Sequence, residues 1–174
     1  IKALKFVESF VRNSAKYDPK DEIPYLPFLL DTDSKNQPSE FEITFIQNNV
    51  RYQYGFAVTQ TDVVSEWLYA YPKGSAQTWF ERDSLQKRIN FVSRELRGDK
   101  RSIENVTGHN TLFLSKAAQA EHEQLTEVYE WFVYHLHVLD SDMSNKADMR
   151  SKEQKIADEK EAKKAKAEAK EKQA

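Results

Sequence analysis

The chain has 174 residues, with 26 Lys and Arg against 28 Asp and Glu and no cysteine. That length suits one domain with a mid-sized core. The near-balanced charge lacks the basic excess that nucleic acid selects, and the missing thiols exclude disulfides, thiol catalysis and thiolate metal sites. No apolar run approaches the ~18 residues of a membrane span and no secretory leader is visible, so a cytoplasmic chain without a membrane partner is expected. The charge is uneven: residues 146–174 carry 10 basic and 7 acidic side chains, net +3, which leaves −5 for residues 1–145.

Ile1, Leu4, Val7, Phe10 and Val11 recur at helical spacing and give one apolar face. No capping residue stands before Ile1, so the helix is entered in mid-turn, and a chain cut from a longer one is expected. The helix should stop near Asn13-Ser14. Pro19, Pro24 and Pro27 then hold the backbone out of helix, and Tyr25, Leu26, Phe28, Leu29 and Leu30 give that loop apolar mass.

From Phe41 the period changes to two. Phe41, Ile43 and Phe45 alternate with polar residues, Asn48-Asn49 follows, and Val50, Tyr52, Tyr54, Phe56 and Val58 alternate again. Asn tolerates positive φ, so this reads as a β-hairpin. Val63 to Tyr71 and Gln77 to Glu81 supply two more strands around the turn signal Pro72-Lys73-Gly74-Ser75. Tyr52, Tyr54 and Phe56 should share one buried face, and Trp67 and Tyr69 should share a face of the third strand. Such an aromatic sheet can stack bases, but core and cross-strand packing of these rings, Trp79 included, is the expectation.

Ser84 to Lys100 fits a helix on the stripe Leu85, Ile89, Val92 and Leu96, ended by Gly98. Arg97 to His109 reads as a polar loop. Helix resumes from Asn110, and Leu125, Val128, Phe132, Leu136 and Leu139 form the clearest amphipathic stripe. After Asp140 the chain becomes Ala, Lys and Glu without glycine or proline, which suits a solvated helix or a disordered tail. The expected fold is α+β: an antiparallel meander of four to five strands flanked by helices, with domain 1–140 and tail 141–174.

Catalytic and metal motifs are sparse. His135 and His137 are two apart on a helix and face different sides, and His122 has no partner at i+4, so a zinc site is not expected. There is no G-x-S-x-G around Ser14 or Ser115. Asp21-Glu22, Asp31 and Asp33 lie in polar loops. The glycines at 55, 74, 98 and 108 are isolated, so no phosphate-cradling loop is present.

Several segments, in order, resemble a family. Ile1-Lys2-Ala3-Leu4-Lys5-Phe6 resembles the helix that follows the phosphate loop in bacterial AAA-labelled, ABC-like ATPases near the OLD, RecF and SMC groups. Phe10-Val11-Arg12-Asn13-Ser14 and Pro27-Phe28-Leu29-Leu30-Asp31 resemble its next two segments. Pro38-Ser39-Glu40-Phe41-Glu42-Ile43, Tyr52-Gln53-Tyr54-Gly55-Phe56, Glu66-Trp67-Leu68 and Phe80-Glu81-Arg82 resemble its β-lobe. Asn110-Thr111-Leu112-Phe113-Leu114-Ser115 and Val128-Tyr129-Glu130-Trp131-Phe132 resemble the helical segment after it. The resemblance covers roughly residues 1–139.

The family's G-x-x-x-x-G-K-S/T loop, signature loop, Walker B carboxylate and histidine switch are absent from these residues. The resemblance therefore implies no catalytic residue here. It implies a partial head whose parent uses ATP and Mg, dimerises head to head with missing flanking segments restored, and works in phage defence or DNA transactions. This chain alone should carry no cofactor. The residues it offers for nucleotide binding are Arg12, Asn13 and Ser14 at the end of the first helix, Arg82 at the close of the lobe, and Gln119 as a metal- and nucleotide-sensing glutamine. A non-enzymatic interaction module, using the aromatic sheet face and the tail, is the alternative.

Overall fold

The computed structural model describes residues 1–24, 37–86 and 88–138. The apolar loop from Tyr25, the acidic pair Asp31 and Asp33, Leu139 and the tail from 141 all lie outside the described residues. Lys2–Leu136 forms one compact unit.

Within that unit, helix α1 (Lys2–Asn13) buries Val7, Phe10 and Val11 and runs into a 3-10 turn at Ser14–Lys16. Then come strands β1 (Ser39–Gln47), β2 (Val50–Val58), β3 (Val63–Tyr71), β4 (Gln77–Asp83) and β5 (Arg88–Asn90). They form one antiparallel sheet in chain order, a meander without crossovers. Helices α2 (Lys100–Asn105), α3 (Phe113–Gln119) and α4 (Glu123–Tyr134) complete the unit. The α+β class and the antiparallel meander are as the residue pattern predicts.

The Asn48-Asn49 turn has φ of 50° and 61°, the left-handed geometry that a two-residue hairpin needs. Register then places Phe41 opposite Phe56, Ile43 opposite Tyr54 and Phe45 opposite Tyr52. These rings form the core face, and Tyr52, Tyr54 and Phe56 are all buried, as expected. Three helices press aromatic residues onto that face. Phe10 of α1 meets Phe56 at 5.5 Å, Phe113 of α3 meets Phe80 at 5.0 Å, and Trp131 of α4 stacks on Phe45 at 4.2 Å. A bulge in β4 leaves Trp79 unpaired between Thr78 and Phe80, so both Trp79 and Phe80 are buried.

Three expectations need correction. Trp67 and Tyr69 do share a face, but it is the outer one, half-buried; the core face of β3 carries Glu66, Leu68 and Ala70. Ser84 to Lys100 is not a helix. It is a 3-10 turn at Ser84–Gln86, then β5, then irregular chain to Asp99, because Ile89 is taken into the sheet opposite Arg82. The stripe that suggested a helix leaves Leu85 and Val92 exposed. The polar stretch from Arg97 is not all loop, since Asp99 caps α2 by accepting from the Ser102 N–H at 3.1 Å.

The last helical stretch is two helices. Glu121 adopts φ 56°, and the His122 N–H reaches back to the Ala117 carbonyl at 3.0 Å, which closes α3 as a left-handed cap. His122 then opens α4, its Nδ1 accepting from the Leu125 N–H at 3.4 Å. The helix ends at Tyr134, before Leu136.

Candidate functional site

The described residues converge on one short segment, Gly108 to Leu112, which joins α2 to α3. Two charged side chains on the core face hold it. Glu66 and Arg82 are cross-strand partners on β3 and β4. Arg82 donates to the carbonyls of Thr111 at 2.6 Å and Gly108 at 3.0 Å. Its guanidinium stands 3.8 Å from the Glu66 carboxylate, which has no solvent exposure.

Glu66 in turn caps α3 from across the fold. Its carboxylate accepts from the N–H groups of Phe113 at 2.7 Å and Leu114 at 3.0 Å, and from the Tyr54 hydroxyl at 2.9 Å. Leu112, at the cap position itself, has no side chain to do this. Two of the donors that every helix start leaves unpaired are thereby satisfied by a residue nearly fifty positions upstream. Burial pushes the Glu66 carboxyl up, while the Arg82 charge and the N–H and O–H donors pull it back. Burial also pushes the Tyr54 phenol well up, with the Glu66 charge adding to it.

On the other side the segment grips the end of α1. The Leu112 N–H donates to Ser14 Oγ at 3.3 Å, and Thr111 Oγ1 donates to the Ser14 carbonyl at 3.2 Å. Ser115 Oγ donates to the Val11 carbonyl at 2.6 Å, and the Tyr129 hydroxyl to the Arg12 carbonyl at 3.3 Å. Three hydroxyls, from the segment, α3 and α4, thus take the carbonyls that a helix end leaves open. Asn110 fastens the loop after α1 through the carbonyls of Asp18 at 2.7 Å and Asp21 at 3.0 Å. His109 sits between the Thr61 and Pro19 carbonyls at 3.0 and 3.1 Å, with Asp62 at 3.4 Å.

Of the five residues proposed from the sequence, Ser14 and Arg82 meet at this segment, one from each side. Arg12 joins it through its carbonyl, and its side chain pairs with Glu8 at 3.3 Å. Asn13 bonds to the Ser9 carbonyl at 2.8 Å, and Gln119 accepts from Lys116 at 2.8 Å, so both hydrogen-bond within their own helix or turn. Beside Arg82, toward solvent, lies a cleft of about 300 Å³ lined by charges of both signs, among them Asp62, Asp83, Arg88, Glu104 and His109. Among the described residues no group of three or more His, Asp or Glu could hold a metal.

Glu66, Thr111, Ser115 and Tyr129 are not singled out by pattern. Glu66 does carry a signal. It stands in step with Leu68 and Ala70 on β3, and a carboxylate on the core side of a strand needs buried partners.

A family model described as "AAA domain, putative AbiEii toxin, Type IV TA system" matches residues 1–173. The chain belongs to this AAA-domain family. It is thus ATPase-like and of the nucleotide-binding type. No curated protein and no solved structure matches it. The junction around Gly108 to Leu112 is where this AAA domain ties α1 to the sheet. Among its described residues no helix is long and apolar enough to cross a membrane.

Proposed function

We propose that these residues form the small lobe, with the helix that stands behind the phosphates, of an ABC-like head that binds and hydrolyses ATP with Mg. The phosphate loop, the Walker B carboxylate and the histidine switch would come from segments outside these 174 residues. The family match over residues 1–173 carries this reading. The order of the OLD-, RecF- and SMC-like segments supports it.

The geometry bears on the roles. At 1.5 Å per residue the 12 residues of α1 span about 18 Å. Phosphates held at the start of this helix would lie that far from Arg12, Asn13 and Ser14. In the proposed head these residues and Arg82 therefore position the lobe rather than touch phosphate. Gln119, at the exposed end of α3, is the one left to sense nucleotide and metal. Head-to-head dimerisation follows from the same reading, and the family's toxin description favours a toxin–antitoxin or phage-defence setting.

The test is the longer reading frame. A protein extended upstream of Ile1 should contain a phosphate loop and hydrolyse ATP, and alanine at that loop's lysine should abolish turnover. Arg82→Ala in the longer protein should raise KM for ATP more than it lowers kcat. An extended reading frame without such a loop, or a longer protein without hydrolysis, overturns the proposal.

A further inference from the structure

The helices cover one face of the sheet. The opposite face carries Trp67, Tyr69 and Tyr71 on β3, flanked by Glu42 on β1 and by Glu81 and Asp83 on β4. A cleft of about 290 Å³ opens there, lined in part by Trp67, Tyr69, Glu81, Asp83 and Asn90 and also by Arg82, whose guanidinium is already engaged by Glu66 and by the Thr111 and Gly108 carbonyls. We propose that this cleft receives the guanidinium of an arginine-bearing segment of a partner protein. The proposal stands independently of ATP hydrolysis.

The carboxylates are the first support. Glu42 accepts from the Trp67 indole N–H at 2.8 Å, Glu81 from the Tyr69 hydroxyl at 2.8 Å, and Asp83 from the Leu85 N–H at 2.9 Å. Each donor is neutral. Among the described residues none of these three carboxylates is paired with a cation. The negative potential of Glu81 and Glu42 registers on Tyr69, whose phenol is pushed up to about 12, first by burial, then by its bond to Glu81 and by the charges of Glu81 and Glu42.

The rings are the second support. The Trp67 indole packs closely over Gly55, where a Cβ would collide with it. Hydrogen bonds to Glu42 and Glu81 hold the Trp67 and Tyr69 rings in place, so a planar cation meets preorganised π-faces. The same face already shows this chemistry once: the Arg51 guanidinium lies 4.0 Å over the Tyr71 ring. Guanidinium stacks on rings and accepts paired carboxylates in its plane, which a compact ammonium does less well. The charge balance of the face points the same way. Glu40, Glu42, Glu81 and Asp83 outnumber Arg51 and Arg88, and the Arg82 that lines the cleft is matched by Glu66, so a phosphate backbone is disfavoured. The cleft opens on a sheet face and not into an enclosed cavity, which suits a side chain carried on another protein's surface.

The test is fluorescence anisotropy of the full 174-residue chain with a fluorescein-labelled Gly-Arg-Gly-Arg-Gly peptide and its citrulline counterpart. The arginine peptide should bind and the citrulline peptide should not. Glu81→Gln and Asp83→Asn should each weaken binding by about 3- to 10-fold, the range of a partly exposed cation contact. Arg88→Gln removes the cation that stands opposite Asp83 on β5, at the border of the cleft, and should tighten binding, a gain that misfolding cannot mimic. Failure of the arginine peptide to bind, equal binding of the citrulline peptide, or indifference to the double variant E81Q/D83N overturns the proposal. So does preferential binding of a single-stranded polyuridine oligomer.

Discussion

The two faces of the sheet use the same aromatic residue types for different ends. On the core face Tyr54, Phe56, Leu68 and Phe80 are sealed under three helices, and the Glu66 and Arg82 charges among them are bonded to backbone groups. On the outer face Trp67, Tyr69 and Tyr71 are half-buried and bonded to side chains of neighbouring strands. Strand alternation alone creates both rows. What separates them is cover: a ring under a helix loses all its water, and a ring on an open sheet keeps one side wet. A core ring should therefore cost several kcal/mol to remove, and an outer one far less.

The sharpest way to break this contrast is Glu66→Ala. It strips the cap from α3 and leaves Arg82 and Tyr54 facing each other without a carboxylate. A loss of about 3–5 kcal/mol, the cost of orphaning one partner of a buried pair, is expected in denaturant titration. Tyr54→Ala should cost about 3 kcal/mol by the same measurement, as large-to-small aromatic core changes do. If Tyr54→Ala proved no worse than Tyr69→Ala, the two faces would not differ.

Gly55→Ala probes where the faces meet. An added Cβ would strike the Trp67 indole and stand 2.8 Å from the Phe41 carbonyl oxygen, which is backbone and cannot yield. A loss of about 1–3 kcal/mol is expected, with Trp67 fluorescence changing as the ring is lifted. Tyr69→Phe removes one partly exposed hydrogen bond to Glu81 and should cost about 1 kcal/mol or less.

The smallest expected effect is one of pH. Burial holds His122 below its ordinary 6.5, so its neutral Nδ1 can accept from Leu125 and cap α4. The unfolded chain therefore takes up a proton that the folded one resists. This contribution to stability is complete above about pH 6.5 and declines as pH falls through that value. The raised Glu66 carboxyl works oppositely from 4.5 upward, its contribution falling as pH rises. His122→Asn keeps a capping acceptor but cannot titrate. The melting midpoint of the parent chain should drop more than that of the variant between about pH 7.5 and 5.5. Equal drops would show that His122 is not the titrating cap.

Most of the sheet is legible in the sequence, because a period of two around Asn48-Asn49 has few other meanings. The faces of β3 are not. Trp67 and Tyr69 look like core on size, and only the helices lying across Tyr54 and Leu68 decide the matter. The 3-10 turn, β5 and α2 escape the pattern because Leu85, Ile89, Val92 and Leu96 fit helical spacing while only Ile89 and Leu96 are buried. The break between α3 and α4 hides in Glu121, a residue that gives no hint of positive φ. Of the junction, Ser14 and Arg82 are found as ends of segments. Glu66, Thr111, Ser115 and Tyr129 act across separations of 47 to 117 residues that no local pattern reports.

In the proposed head these residues build the lobe and leave the phosphates to residues outside them. A phosphate site needs consecutive backbone N–H groups at a helix start together with a lysine. Isothermal titration of the 174-residue chain with Mg-ATP tests this division most directly. No saturable heat is expected. A dissociation constant in the low micromolar range would contradict it.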